Sequence, residues 1–418
     1  MKKFETEVLV VGAGPVGMMT ALQLAEKGIS VKIIDQGWRA ATHSYACALH
    51  PATLSLLDRC GMLKSVREAA WRIDSISLYD SCCRHADLKL SDLPHMLPCA
   101  LTLPQSAFES LLERRLGDQF GIHVDWNHRV NSIALGKSGA VSCVDKLGQS
   151  AKGYIVPEWD WTVQKEMQVN SVFVVGADGH DSTVRRRLGI DYLVEGDPEM
   201  FAVFEFETET SPGNEVKVVI DNNLVSVLWP LSDNRARWSF QLDIKNSEEF
   251  PTKDRDTARL LRADIDEIKR NYAQGLARSR APWFDGKIHD VVWSARICFQ
   301  PGLAARFGAL RGWLVGDAAH QTGPVGVQSL NAGLAEAEDL AAKLASVLRD
   351  SFPLRLLETY DKTHRHDWKK LLAATAAAKP AQEPQSDWFK NNAPRILGSL
   401  PATGEDLSKL AAKIGLTF

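Results

Sequence analysis

EVLVVGAGPVGMMTALQLAEKGISVKIID, from Glu7 to Asp35, is the stretch whose reading decides the fold. An apolar run, Val8 to Val11, gives way to Gly12-x-Gly14-x-x-Gly17 and then to a helix that Gly28 ends. A second apolar run, Ile29 to Ile34, finishes in Asp35. This rhythm predicts strand, amphipathic helix and parallel strand. Gly12 permits the tight turn, Gly14 lets a phosphate approach the backbone, and Gly17 lets helix and strand pack closely. The helix amino terminus faces the anion. Asp35 stands where a carboxylate holds ribose hydroxyls. The pattern points to a dinucleotide and does not separate NAD from FAD.

Two later junctions repeat the sequence strand, small residue, acid. In SVFVVGADGHDSTVRRRLGI, the strand Val172 to Val175 runs into Gly176, Asp178 and Gly179. A helix follows, with Asp181 or Ser182 as its amino cap. In WLVGDAAH, a strand from Trp313 to Val315 precedes Gly316 and Asp317. Both junctions place a carboxylate at the carboxyl end of a strand, where open α/β sheets bind ligands.

In this order and spacing, the three motifs resemble the FAD fingerprints of the single-component flavoprotein aromatic hydroxylases, the p-hydroxybenzoate hydroxylase-like family. The resemblance runs over roughly residues 5 to 350. It implies that Gly12, Gly14, Pro15 and Gly17 hold the pyrophosphate and Asp35 the adenosine ribose. It implies Gln105 near the ribityl chain, Asp317 on a ribityl hydroxyl, and Asp178 with Gly179 serving FAD and the incoming NAD(P)H. It further implies that Gly316, Gly326, Leu330 and Asn331 bring backbone to the cofactor and that Pro324 faces the flavin. The sequence departs from the family in two places. Tyr45 or His43 stands where an arginine often reaches the pyrophosphate, with Arg39 as the nearby substitute, and Ser329 stands where glycine is common.

GDAAHQTGPVGVQSLNAG, Gly316 to Gly333, gains a physical reading from this. Small residues precede a long helix whose amino terminus carries unpaired N–H groups and roughly half a positive charge. Aimed at the flavin N1 and C2 carbonyl, it stabilises the anionic reduced form.

Alternating segments between the motifs predict an inserted α+β domain. They are RIDSISLYD, MFAVFEFETE, EVKVVIDNNLVSVLWPL and RARWSFQLD, read as a sheet with one apolar face. A helix from Lys253 to Ala277 follows. The expected architecture is an α/β Rossmann-like FAD-binding domain (1–74, 101–190, 297–350), an inserted substrate domain (75–100, 191–296) and a C-terminal helical segment (351–418). Trp229, Trp238 and Trp293 are candidates for the substrate pocket. His43 and His50 read as loop or surface residues, so no catalytic base is named. Arg185 or Arg186 offers charge to NAD(P)H phosphates. WDWTV, within residues 153–169, has some likeness to a flavin-halogenase signature but lacks its Ile-Pro, and reads as part of a long hairpin. After the flavin helix, a long helix, a proline-containing break and a short final helix are expected.

The 418 residues are 45 % apolar and 24 % charged, with net charge -3, which gives no reason to invoke nucleic acid. No apolar run spans a membrane and no leader pattern is seen, so a cytoplasmic protein is expected. Seven cysteines include no C-x-x-C pair, so neither a redox dithiol nor a metal site is expected. The resemblance implies an NAD(P)H- and O2-dependent FAD monooxygenase acting on an aromatic, phenolic or related small molecule through a flavin C4a-hydroperoxide. Alternatives are another flavin enzyme on the same fold (reductase, dehydrogenase or halogenase) and a flavin- or small-molecule-binding protein without turnover.

Overall fold

The computed structural model describes residues 2–39, 48–152, 158–243, 262–377, 379–380 and 387–417. In chain order, the elements that position the site are β1 (Lys2–Val11), α1 (Pro15–Glu26), β2 (Val31–Ile34), α2 (Gln105–Phe120), β3 (Ala140–Lys152), β4 (Glu158–Gly176), α3 (Thr183–Arg187), β5 (Gly312–Leu314) and α4 (Gln328–Arg349). Strands β5, β4, β1 and β2 lie side by side in that order, all parallel. β3 runs antiparallel along β4, so the segment containing WDWTV belongs to a long hairpin. Val8, Leu9 and Val10 are fully buried, as expected where a parallel sheet is covered on both faces.

α1 departs from its expected amphipathic character. Met18, Met19, Ala21, Leu22 and Leu24 are all fully buried, because α1 is wedged between the sheet, α2 and α4. A helix enclosed on every side needs no polar stripe.

A second sheet runs in the order Val291–Phe299, Glu199–Glu207, Arg235–Leu242, Leu224–Ser232, Glu215–Asp221, Ser75–Tyr79, Arg84–Lys89. Its neighbours are antiparallel except for Glu215–Asp221 beside Ser75–Tyr79. The expectation of one apolar face is corrected. Phe201, Val203, Val227 and Trp229 belong to the main core, whereas Phe204, Phe206, Trp238 and Phe240 form a second core with Ala273 and Ala277 of the helix Arg262–Arg280. That helix covers the outer face, so both sides of the pleat are apolar. The earlier part of the expected helix, 253–261, lies outside the described residues.

Among the described residues, the C-terminal part holds three helices where two were expected: Leu356–Ala377, Asp387–Ser399 and Gly404–Lys413. The middle one contains Pro394, which hid it in the sequence. It matters to the site, because Gln328 Nε2 donates to the carbonyls of Leu397 at 3.0 Å and Leu400 at 3.3 Å. No helix among the described residues is long and apolar enough to cross a membrane.

Candidate functional site

Because β5, β4, β1 and β2 are adjacent and parallel, the loops leaving their carboxyl ends meet along one edge. There they wall a cavity of about 750 Å³. Gly12 makes the turn with φ of +104°, and a Cβ there would sit 2.2 Å from the Ala177 carbonyl oxygen. A Cβ at Gly17 would sit 2.0 Å from the Gly12 oxygen, so this residue sets how closely α1 packs on the strand and does not line the cavity. Gly14 does the opposite: nothing lies within 4 Å of its Cβ position, and both it and Pro15 face the cavity. No side chain caps α1, which leaves its first N–H groups to an anion.

Three of the acids in the wall, Asp35, Asp178 and Asp317, are in different states. Asp35 lines the cavity with its carboxylate fixed by the backbone, Oδ2 accepting from Ala13 N at 2.7 Å and Oδ1 from Gly37 N at 2.6 Å. Asp178 also lines it, yet both its oxygens are engaged: Ser182 Oγ donates to Oδ1 at 2.5 Å and Val184 N to Oδ2 at 3.0 Å. Burial pushes its pKa up against these bonds. Its carboxylate therefore organises α3, whose amino cap is Ser182 and not Asp181. Asp317 receives no hydrogen bond on its carboxylate among the described residues, and it faces the cavity. Burial raises its pKa, opposed by His320 and His180 nearby.

Gly179, Gln105 and Arg39 also contribute to the wall. Gln105 donates to Glu109 at 2.7 Å, and the Arg39 guanidinium sits 3.9 Å over the Trp38 ring. His43 and Tyr45 lie outside the described residues. Gly316 is set back from the wall, turning the chain with φ of +63° while packed on Val16.

The start of α4 enters the same cavity through Val327, Ser329 and Leu330. Val327 adopts a left-handed conformation, φ 52° and ψ 32°, which is strained for a β-branched residue. No side chain caps this terminus and no acid stands in its first turn, so its positive end is uncompensated. Ser329 has a visible role: its Oγ accepts from Thr322 N at 3.0 Å, tying the loop that carries Pro324 back to the helix. Pro324 lines the cavity.

Gly326 and Asn331 do not line the cavity. Gly326 is pressed on the carbonyls of Gly398 and Leu400, where a Cβ would come within 2.8 Å of both. The Asn331 amide donates to Ala48 O and Val327 O and accepts from His50 N and Thr53 Oγ1, pinning the helix start from behind. His50 is likewise no surface residue. It is 1 % exposed, with Nε2 2.9 Å from Gly326 O, and burial pushes its pKa down to about 3.

Beneath Asp317 lies a buried cluster that the sequence reading missed. Glu336 accepts from Gly316 N at 3.0 Å, His320 Nε2 at 2.7 Å and Trp368 Nε1 at 2.7 Å. Burial alone would raise the Glu336 pKa, but His320 and the other donors hold it low. The available signal was an acid on the apolar stripe of α4, between Gly333 and Ala337, both buried.

None of the three tryptophans lines the cavity. Trp238 points into the second core, stacked on Phe240 at 4.9 Å. Trp229 is 1 % exposed in the main core, and Trp293 carries the Arg237 guanidinium 5.8 Å over its ring. Phe299, at the end of its strand, is the residue of that sheet in the wall. Arg185 is also corrected as a surface cation: it is 7 % exposed, donating to Ala318 O and His180 O. Arg186 and Arg187 instead flank a groove with Arg129, and Arg129, Val130 and Thr183 border both this groove and the cavity.

The donors and acceptors match a dinucleotide carrying a polyol: an open glycine beside a bare helix end, an acid fixed by the backbone, an acid whose carboxylate accepts no hydrogen bond among the described residues, and a second bare helix end. The FAD binding domain family matches residues 5–375. The chain belongs to this FAD-binding family. Among its relatives is the protein named uncharacterized aromatic compound monooxygenase YhjG from Bacillus subtilis (strain 168), 29 % identical over 366 residues, covering 86 % of this chain and 65 % of the relative. Another is para-nitrophenol 4-monooxygenase from Pseudomonas sp. (strain WBC-3), 25 % identical over 395 residues, covering 91 % of this chain and 88 % of that protein. The crystal structure of p-nitrophenol 4-monooxygenase PnpA from Pseudomonas putida DLL-E4 shares the fold, with TM-score 0.73 at 20 % identity over 98 % of this chain and 94 % of that one. FAD is thus the cofactor of this family, and the cavity at the edge of the parallel sheet is the candidate site for it.

Proposed function

We propose that this protein is an NAD(P)H- and O2-dependent monooxygenase that places one oxygen atom on an aromatic or phenolic small molecule. The observation that carries the reading is the bare amino terminus of α4 in the cavity wall, with no acid in its first turn. A helix end of that kind favours an electron-rich, anionic ring system over a neutral one. The names of the relatives, monooxygenases of aromatic compounds and of para-nitrophenol, support the substrate class.

FAD, when bound, supplies the redox chemistry. The chain's task is to bind, orient and exclude water. The amino end of α1, opened by Gly14, takes the diphosphate, and Asp35 orients the ribose next to it. Asp317 accepts a hydrogen bond from the ribityl chain, which compensates an acid that burial otherwise disfavours. Val327 to Leu330 hold negative charge at the ring, while Pro324 and Phe299 close the wall with apolar surface against water. The second sheet supplies the substrate side. The groove of Arg129, Arg186 and Arg187 receives the phosphates of NAD(P)H.

The test is a panel of phenols scored by NAD(P)H oxidation, oxygen uptake and product mass. Products heavier by one oxygen atom are expected. NAD(P)H oxidation that proceeds equally without oxygen, or that never yields an oxygenated product across the panel, overturns the reading. Arg186→Ala and Arg187→Ala are expected to raise KM for NAD(P)H while FAD content stays unchanged.

A further inference from the structure

The turn joining Ser75–Tyr79 to Arg84–Lys89 carries Asp80, Cys82 and Cys83, and His85 follows at the start of the second strand. The Asp80 Oδ2 atom lies 2.8 Å from His85 Nε2 and 3.9 Å from Cys83 Sγ, and that sulfur lies 3.7 Å from His85 Nε2. Three different ligand types thus converge on one point at the edge of the second sheet. In tetrahedral zinc sites, metal–sulfur bonds of about 2.3 Å and metal–nitrogen or metal–oxygen bonds of about 2.0–2.1 Å put neighbouring ligand atoms roughly 3.3–3.6 Å apart. Each observed edge lies within about half an ångström of that.

Two contacts orient these groups in advance. Asp80 Oδ1 accepts from Cys82 N and Cys83 N, both at 2.7 Å, which leaves Oδ2 turned toward the sulfur and the imidazole. The His85 ring stacks on Trp388 with centroids 4.0 Å apart and 7° between the planes, so its Nε2 is held in the cluster. Metal sites use outer contacts of this kind to fix their ligands. No C-x-x-C pair marks this site in the sequence; its spacing is Asp80-x-x-Cys83-x-His85.

We propose that Asp80, Cys83 and His85 form a binding site for a borderline divalent transition metal, zinc foremost, with water as fourth ligand. A thiolate and an imidazole select such an ion over magnesium or calcium. None of the three residues lines the FAD cavity, so the site stands independently of the monooxygenase reading. Trp388 belongs to the helix Asp387–Ser399, so the imidazole that would hold the ion also packs against the C-terminal helices.

The test uses full-length, FAD-loaded protein dialysed against zinc chloride, with bound zinc read by elemental analysis and its ligands by X-ray absorption at the zinc edge. One zinc per chain is expected, with a single sulfur at about 2.3 Å and nitrogen or oxygen at about 2.0 Å. Cys83→Ala and His85→Ala are each expected to weaken zinc binding more than about tenfold, and Cys82→Ala to leave it unchanged. FAD content unchanged in all three variants shows that the fold persists. Absence of stoichiometric zinc, a coordination shell without sulfur, or a loss that follows Cys82 and not Cys83 overturns the proposal.

Discussion

Gly14 and Gly17 belong to one motif, and the structure assigns them opposite sensitivities. At Gly14 the backbone is extended, φ -71° and ψ 178°, and nothing occupies the space around a Cβ. Gly14→Val is therefore expected to leave the apoprotein fold intact and to place its methyl groups in the proposed diphosphate site. Loss of a charge-assisted contact is worth about 1.5–3 kcal/mol, so FAD affinity is expected to fall roughly tenfold to a hundredfold. At Gly17 a methyl group would lie 2.0 Å from the Gly12 oxygen and 3.2 Å from Ala177 Cβ. That is on the order of 1.5 Å short of a favourable carbon contact, and the obstacle is backbone. Gly17→Ala gains about 1 kcal/mol of helix propensity but forces α1 off the sheet, at a cost of about 1–3 kcal/mol or more. The apoprotein Tm should thus fall in Gly17→Ala and hold in Gly14→Val, while FAD affinity falls in both. Thermal unfolding of the stripped proteins and titration of flavin fluorescence read the two quantities. Equal apoprotein Tm losses in the two variants, or full FAD affinity in Gly14→Val, would refute the reasoning.

Three further outcomes are expected. Asp317→Asn weakens FAD binding yet raises the apoprotein Tm at neutral pH. Burial lifts the Asp317 pKa above 3.8, so its stabilising contribution holds below that value and is lost as pH rises through the folded-state pKa; the Tm advantage of the variant should grow over that range. Glu336→Gln breaks a buried pair and should cost about 3–5 kcal/mol near pH 7. Because the Glu336 pKa is lowered, the gap to the unsubstituted protein should narrow as pH drops below 4.5, as calorimetry across pH would show. Ser329→Gly removes the hydroxyl that holds Thr322 N, worth about 1 kcal/mol, and should speed FAD dissociation about fivefold in stopped-flow fluorescence.

What was legible in the sequence was local. Gly12, Gly14, Gly17 and Asp35 declare their parts because turn, helix start and strand end lie within one short segment, and the mechanical reason for each is contained there. The same holds for Asp178 and Asp317, whose positions at strand ends follow from the apolar runs before them. Their states do not follow. Whether an acid is consumed by its own helix, as Asp178 is by Ser182 and Val184, or left open, as Asp317 is, depends on how the chain turns after the strand.

The missed features share a cause: each depends on partners far away in the chain. Asn331 could be placed near the flavin helix start, but its role is decided by His50 and Thr53, 281 and 278 residues away. Gly326 meets carbonyls of the C-terminal helix region, and Gln328 is held by the same region, so the amino end of α4 is positioned from a segment that carries no recognisable motif. Trp238 shows the limit of periodicity. Alternation states that Trp229 and Trp238 sit on definite faces of the pleat, but only the docking of the helix Arg262–Arg280 shows that the second face is a core as well. The glycine motif thus points to the class of ligand, whereas the bare start of α4 and the Ser329 tie on the loop that carries Pro324 come from contacts that local sequence does not encode. A variant behind the cavity wall and outside any motif, such as one at Glu336, is for that reason as sharp a test of the site as one within the glycine motif.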